Sequence, residues 1–275
     1  VEISDKTSLT SRIEYADHQV ESAGFILGGD IPPQSYDFIN GPYWSTDRLT
    51  ANLDLAHRFS QTIDSEFGLQ WQSEDHYNAG VVTSHLTPDG QSAIPIDSFY
   101  LDQLQNLSDF GDFASLEQEV ESRALYGQVK WQASQAGTLH LGARYEDYLD
   151  AGSAFSPRIA YVQKLNAASQ IKAIYSEAFR APVTNELYSN DGVTLGNPAL
   201  EPELVKTTEI QYFYQDNLWS MEVTGFYTEL SRLIVSKKID ASGRTQFIND
   251  GKETISGIES LFNVSVSENV RARLT

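Results

Sequence analysis

Polar and apolar side chains alternate with a period of two along segments of ten residues and more, and nothing else in this 275-residue chain limits its fold so tightly. From Leu49 to Leu55 one set reads Leu49, Ala51, Leu53 and Leu55 while the other reads Thr50, Asn52 and Asp54. Ile63, Ser65, Phe67, Leu69 and Trp71 then alternate with Asp64, Glu66, Gly68, Gln70 and Gln72. Successive side chains of a strand point to opposite faces, so each segment predicts a strand with one apolar and one polar face. About eleven such segments are expected, at 8–16, 47–59, 63–73, 122–133, 138–148, 155–164, 170–177, 205–215, 218–237, 245–265 and a stub from 270. Many exceed the five or six residues usual in globular strands and reach the roughly 9–11 that a tilted strand needs to cross a bilayer.

The connections alternate too. Ser60-Gln61-Thr62, Ser134 to Gly137, Leu165 to Ala168, Asp216-Asn217 and Ser267 to Asn269 are short and polar and fall at one end. At the other end the connections are 17–46, 74–121, 149–154, 178–204 and 238–244, three of them long. Short turns at one end and long loops at the other point to an all-β fold, an antiparallel transmembrane β-barrel of the bacterial outer membrane with lipid outside and a polar lumen. Tyr15, Phe59, Trp71, Trp131, Tyr145, Tyr148, Tyr175, Tyr212, Trp219 and Tyr227 near segment ends would form its aromatic girdles. Composition narrows the alternatives. Apolar runs such as Gly24 to Gly29 are far short of the ~20 residues of a spanning helix. The 19 basic and 38 acidic residues give a net charge of −19, which repels nucleic-acid phosphates, so no nucleic-acid partner is expected. The absence of cysteine removes disulfides, thiolate metal sites and cysteine nucleophiles.

One stretch is more specific. Tyr175-Ser176-Glu177-Ala178-Phe179-Arg180-Ala181-Pro182, Glu186-Leu187-Tyr188, and Gly196-Asn197-Pro198-Ala199-Leu200-Glu201-Pro202-Glu203 with Thr208-Glu209 follow one another in order. Phe226-Tyr227, Leu233-Ile234, Asn249-Asp250-Gly251 and Ile255-Ser256-Gly257-Ile258-Glu259 come after them. Over 175–259 this series resembles the barrel of TonB-dependent outer-membrane receptors, while 1–174 matches by strand and loop rhythm. The resemblance implies a 22-stranded barrel filled by a plug, so the strands here are half a barrel. Residues 1–275 then read as part of a single barrel domain. The chain reads as an internal fragment without plug, coupling segment or last strands, which should neither close nor transport unaided. Phe179, Arg180, Ala181, Pro182, Asn197, Pro198, Gly257 and Glu259 are read as structural members of the motif. Pro182 lacks a backbone donor and should end its strand, Asn197-Pro198 should turn the chain, and Gly257 should mark a bulge or a close approach.

The resemblance implies a receptor in the outer membrane of a Gram-negative bacterium, importing a scarce ligand such as a ferric siderophore or cobalamin. Its implied partners are outer-membrane lipid, the small-molecule ligand, and a TonB-type energy-coupling protein engaged through the missing plug segment. A passive porin-like channel and a soluble secreted β-protein binding glycans are the alternatives. No enzymatic motif occurs: there is no Gly-x-Ser-x-Gly elbow, phosphate-cradling glycine loop or His-Glu-x-x-His helix. No catalytic residue, cofactor or metal is expected, although His76 and His85 share a loop with Glu74, Asp75 and Asp89. Lumenal pairs such as Arg144 with Glu146, or Glu209 near Arg180, suit polar networks. Candidate ligand contacts are loop aromatics and one base: Tyr36, Tyr43, Trp44, Phe99, Tyr100, Phe110, Phe113, Arg180 and Tyr188. Segment 74–121 carries ten acids and no lysine or arginine, 17–46 has no lysine or arginine, and Arg180 is alone in 178–204. These loops favour a neutral, zwitterionic or cationic ligand, or one bridged by calcium.

Overall fold

The computed structural model describes residues 1–21, 25–27, 38–86, 99–106, 117–149, 151–189, 194–239, 244–267 and 270–275. At 21, 25–27, 38–42, 81–86, 99–106 and 266–267 it describes the backbone alone. The strands are β1 (Glu2–Ser4), β2 (Thr7–Glu21), β3 (Phe25–Leu27), β4 (Phe38–Arg58), β5 (Ile63–Leu86), β6 (Phe99–Asn106), β7 (Gln118–Trp131) and β8 (Gly137–Tyr148). They continue with β9 (Gly152–Lys164), β10 (Ser169–Arg180), β11 (Thr194–Leu195), β12 (Glu203–Gln215), β13 (Trp219–Lys238), β14 (Thr245–Ser267) and β15 (Val270–Leu274). A short helix, α1 (Thr184–Tyr188), lies between β10 and β11.

All the strands belong to one open sheet in which the long strands pair with their sequence neighbours, antiparallel throughout. β3 prolongs the line of β2 along β4, and β6 prolongs that of β7 along β5. Among the described residues only the two of β11 run parallel to their partner, β14.

Register converts the alternation into two chemically distinct faces. Leu53, Leu69, Leu125, Tyr145 and Phe155 stand opposite one another on five successive strands and are 42% to 59% exposed. One residue along, Asn52, Gln70, Ala124, Glu146 and Ala154 form the matching row on the other face. There Arg144 donates to Glu146 at 2.6 Å and bonds Gln70, Tyr126 bonds Asp54, and Gln128 donates to Glu66 at 2.7 Å. A face of exposed leucines and aromatics backed by hydrogen-bonded charges is what a transmembrane barrel wall presents to lipid and lumen. The short turns are held by side chains that mimic backbone: Asp216 accepts from the Leu218 and Trp219 amides at 2.7 and 2.9 Å, and Asn166 from those of Ala168 and Ser169.

At the long-loop end the expected boundaries are too short. The segment read as 47–59 begins at Phe38, and the one read as 63–73 runs on to Leu86, so parts of the expected loops 17–46 and 74–121 are ladder. Outside the bilayer both faces of a strand meet water, so pairing persists without the apolar alternation that reveals it. Gly257 pairs regularly with Phe226, whose ring reaches to 2.9 Å from where a Cβ would sit. Register shifts occur elsewhere, among them at Asn78 and Arg232, both at positive φ. Tyr148, expected in a girdle, packs with Ala151, Leu187 and Leu200 in a small core at the outer end.

Candidate functional site

That core exists because the chain leaving β10 folds back over the polar face. Pro182 is buried just past the end of the strand, and the five-residue helix α1 follows. Glu186 in its first turn accepts from the Val183 amide at 2.9 Å, the reciprocal half of a capping arrangement. Arg180 organises the segment. Its guanidinium grips Glu203 through Nε at 2.7 Å and Nη2 at 2.9 Å, and Glu186 through Nη1 at 2.9 Å and Nη2 at 3.1 Å. The start of β10–β12 pairing and the first turn of α1 are thereby tied by one side chain. The fork holds Glu203 below the usual carboxylate range, helped by the Ile234 amide at 2.7 Å, while Glu203 and then Glu186 raise the Arg180 pKa.

The returning segment is fixed by two asparagines. Asn197 donates to the Phe247 carbonyl at 3.0 Å and accepts from the Ala199 amide at 3.0 Å. Asn249 accepts from the Glu201 amide and donates to the carbonyls of Glu201 and Arg232, all at 2.8 Å. Gly196 passes so close beneath α1 that a Cβ there would lie 2.5 Å from the backbone of Leu187 and Tyr188. Gly196→Ala is therefore expected to weaken the docking of this loop by about 1–3 kcal/mol, since backbone cannot yield as a side-chain tip can. Hydrogen exchange of 184–200 in the membrane-inserted protein would read this as faster exchange there and unchanged exchange in the spanning strands.

Between this docked loop and the walls of β4, β5, β7 and β8 lies a cavity of about 830 Å³. Trp44, Tyr148, Phe179 and Tyr188 supply aromatic surface, and Phe179 meets Tyr148 edge to face at 6.1 Å. The charged lining is Glu74, Glu146 and Arg180, with His76 beside Glu74 at 2.9 Å. Glu74 also pairs with Arg48 at 2.6 Å, and Glu146 with Arg144 at 2.6 Å. Aromatic faces beside paired charges give this lining a geometry that suits reversible binding.

Of the candidate contacts, Trp44, Arg180 and Tyr188 come together on this cavity. Tyr43 is not in its lining; its ring lies across Gly80 on the neighbouring strand. Tyr36, Phe110 and Phe113 lie outside the described residues, and Phe99 and Tyr100 are described by backbone only, in β6. Ala181 and Pro182 line the cavity with Phe179, whereas Asn197 and Pro198 sit in the supporting turn, and Gly257 and Glu259 are on β14. Glu209 lies opposite Phe226, six residues along β12 from the Glu203 that Arg180 grips. His76 turns to Glu74 and to Thr46 at 3.2 Å, and His85 and Asp89 lie outside the described side chains. Glu74, Glu146 and Tyr148 are lining residues that sequence reasoning missed. Their signal was available in the lumenal parity of β5 and β8, but no local pattern says which lumenal rows face a cavity.

A family model described as TonB dependent receptor-like, beta-barrel matches residues 3–271. The vitamin B12 transporter BtuB of Photobacterium profundum is 24% identical over 256 residues, covering 92% of this chain and 36% of that protein. Among solved structures, the siderophore receptor PirA from Pseudomonas aeruginosa superposes with a TM-score of 0.63 at 16% identity, covering 98% of this chain and 50% of the other. A mutant of the ferric enterobactin receptor PfeA from Pseudomonas aeruginosa, in complex with enterobactin, gives 0.66 at 15% identity over 96% and 40%. The chain thus spans half or less of the length of these proteins.

Proposed function

The chain belongs to the TonB-dependent receptor family, whose β-barrel model covers nearly all of it, and from that premise we propose that residues 1–275 are part of a single barrel domain that captures a scarce ligand at the outer-end cavity for energy-coupled import. The ligand class is that of a metal chelate or a cobalamin-like molecule. The protein sits in the outer membrane of a Gram-negative bacterium, and its TonB-type partner engages a plug segment outside this chain. The single observation carrying the reading is the aromatic cavity of about 830 Å³, a size that suits small molecules, placed at the end of the strands opposite the short turns. Catalysis is absent from the proposal: the site holds and releases.

A passive channel would share the barrel and the polar lumen, so energy dependence is the discriminating property. Uptake of radiolabelled ferric chelates and cobalamin is to be measured in cells expressing the full-length receptor, with and without the energy-coupling protein. Saturable uptake that vanishes without coupling is expected. Uptake that rises linearly with concentration and ignores the coupling protein would replace this reading with the channel.

A further inference from the structure

The cavity has no positive charge to spare. Its one lining arginine, Arg180, is already shared between two carboxylates, Glu186 and Glu203, whose side chains are each only 13% exposed. Arg48 and Arg144 stand behind the lining acids Glu74 and Glu146 and are bonded to them. Counting the carboxylates and guanidiniums of the lining with their ion-pair partners gives four carboxylates, Glu74, Glu146, Glu186 and Glu203, against three guanidiniums, one negative charge in excess. The sequence adds to this: segment 74–121, of which Glu74 is part, carries ten acids without a lysine or arginine. An anion entering here would lose its hydration against carboxylates and find every nearby guanidinium engaged, whereas an apolar or cationic surface would meet aromatic faces and carboxylate oxygens.

We propose that this site selects a neutral or positively charged ligand and discriminates against polyanionic chelates. The inference rests on the reading of the cavity as the capture site. It concerns the mouth of the barrel: Lys130, Arg158 and Lys172, around His140, lie on the lumenal face nearer the short turns, away from the cavity lining.

The test uses the full-length receptor, purified in detergent, and three ferric probes: a trianionic tris-catecholate, a neutral tris-hydroxamate and a tris-hydroxamate bearing a free ammonium. Binding is followed by fluorescence quenching at low and high ionic strength, and coupled uptake of the same probes is followed in cells. Tighter binding of the neutral or cationic probe, by about tenfold or more over the trianion at low salt, is expected. Salt should narrow the gap, because screening over a Debye length of about 8–10 Å relieves the repulsion. Asn185→Lys, which puts an ammonium into the lining from α1, should strengthen trianion binding several-fold. Trianion binding as tight as that of the neutral probe, weakening as salt rises, together with coupled uptake of that trianion, overturns the charge inference and leaves the receptor reading standing. Failure of all three probes, and of cobalamin alongside them, to bind or to be taken up overturns both.

Discussion

Arg180→Ala in the full-length receptor is expected to free the loop between β10 and β12 from the barrel wall, at a cost on the order of 3 kcal/mol to loop docking. Glu186 and Glu203 are mostly buried, and both would remain charged with their shared cation gone. The Glu203 contact to the Ile234 amide survives, and so does the Glu186 contact to the Val183 amide, so the strands should stay paired while α1 detaches. A change of this size raises the open population about a hundredfold, so protease cleavage within 181–202 should accelerate by a similar factor. Arg180→Lys should recover only part of the loss, because an ammonium cannot grip two carboxylates in parallel as the guanidinium fork does. Acid should mimic the substitution. The Glu203 pKa is lowered on folding, so its contribution is complete above the ordinary carboxylate range and disappears as pH falls through the lowered value. Equal cleavage of wild type and Arg180→Ala at neutral pH would show that the fork does not hold the loop.

How much of this was legible beforehand depends on how many environments a residue has to satisfy. Leu53 and Asn52 announce themselves because lipid and lumen demand opposite chemistry from adjacent positions, and the period of two is their record. Tyr77 and Val81 lie on the neighbouring strand, β5, but past the bilayer, where that demand stops and the alternation fades although hydrogen bonding continues. α1 has five residues and β11 two, too few to show any period. The motif from Phe179 to Glu203 was visible as a string of letters. Its physical content, one guanidinium holding two carboxylates and two asparagines stitching the return, needs β13 and β14 brought alongside. The cavity was the least legible feature, because Trp44, Glu74, Glu146 and Tyr188 come from four separate elements and meet only through register.

The two-faced wall makes a sharper demand, testable with one residue pair. Leu53 is 42% exposed midway along the apolar band, between the Tyr15–Leu49 pair toward the outer end and the Ile63–Trp131 pair near the short turns. Leu53→Arg places a guanidinium in the hydrocarbon at the depth where it is hardest to accommodate, and a cost of about 2–4 kcal/mol is expected. Asn52→Arg, one residue away, projects into the lumen beside Arg12 and Gln70. There the new charge is hydrated and suffers only repulsion from Arg12, so the cost should remain below about 1 kcal/mol. Reversible denaturant unfolding of the full-length receptor in lipid vesicles measures both. Two costs of equal size, or a larger one at Asn52, would mean that the faces of β4 are assigned the wrong way round or that lipid does not bathe this wall.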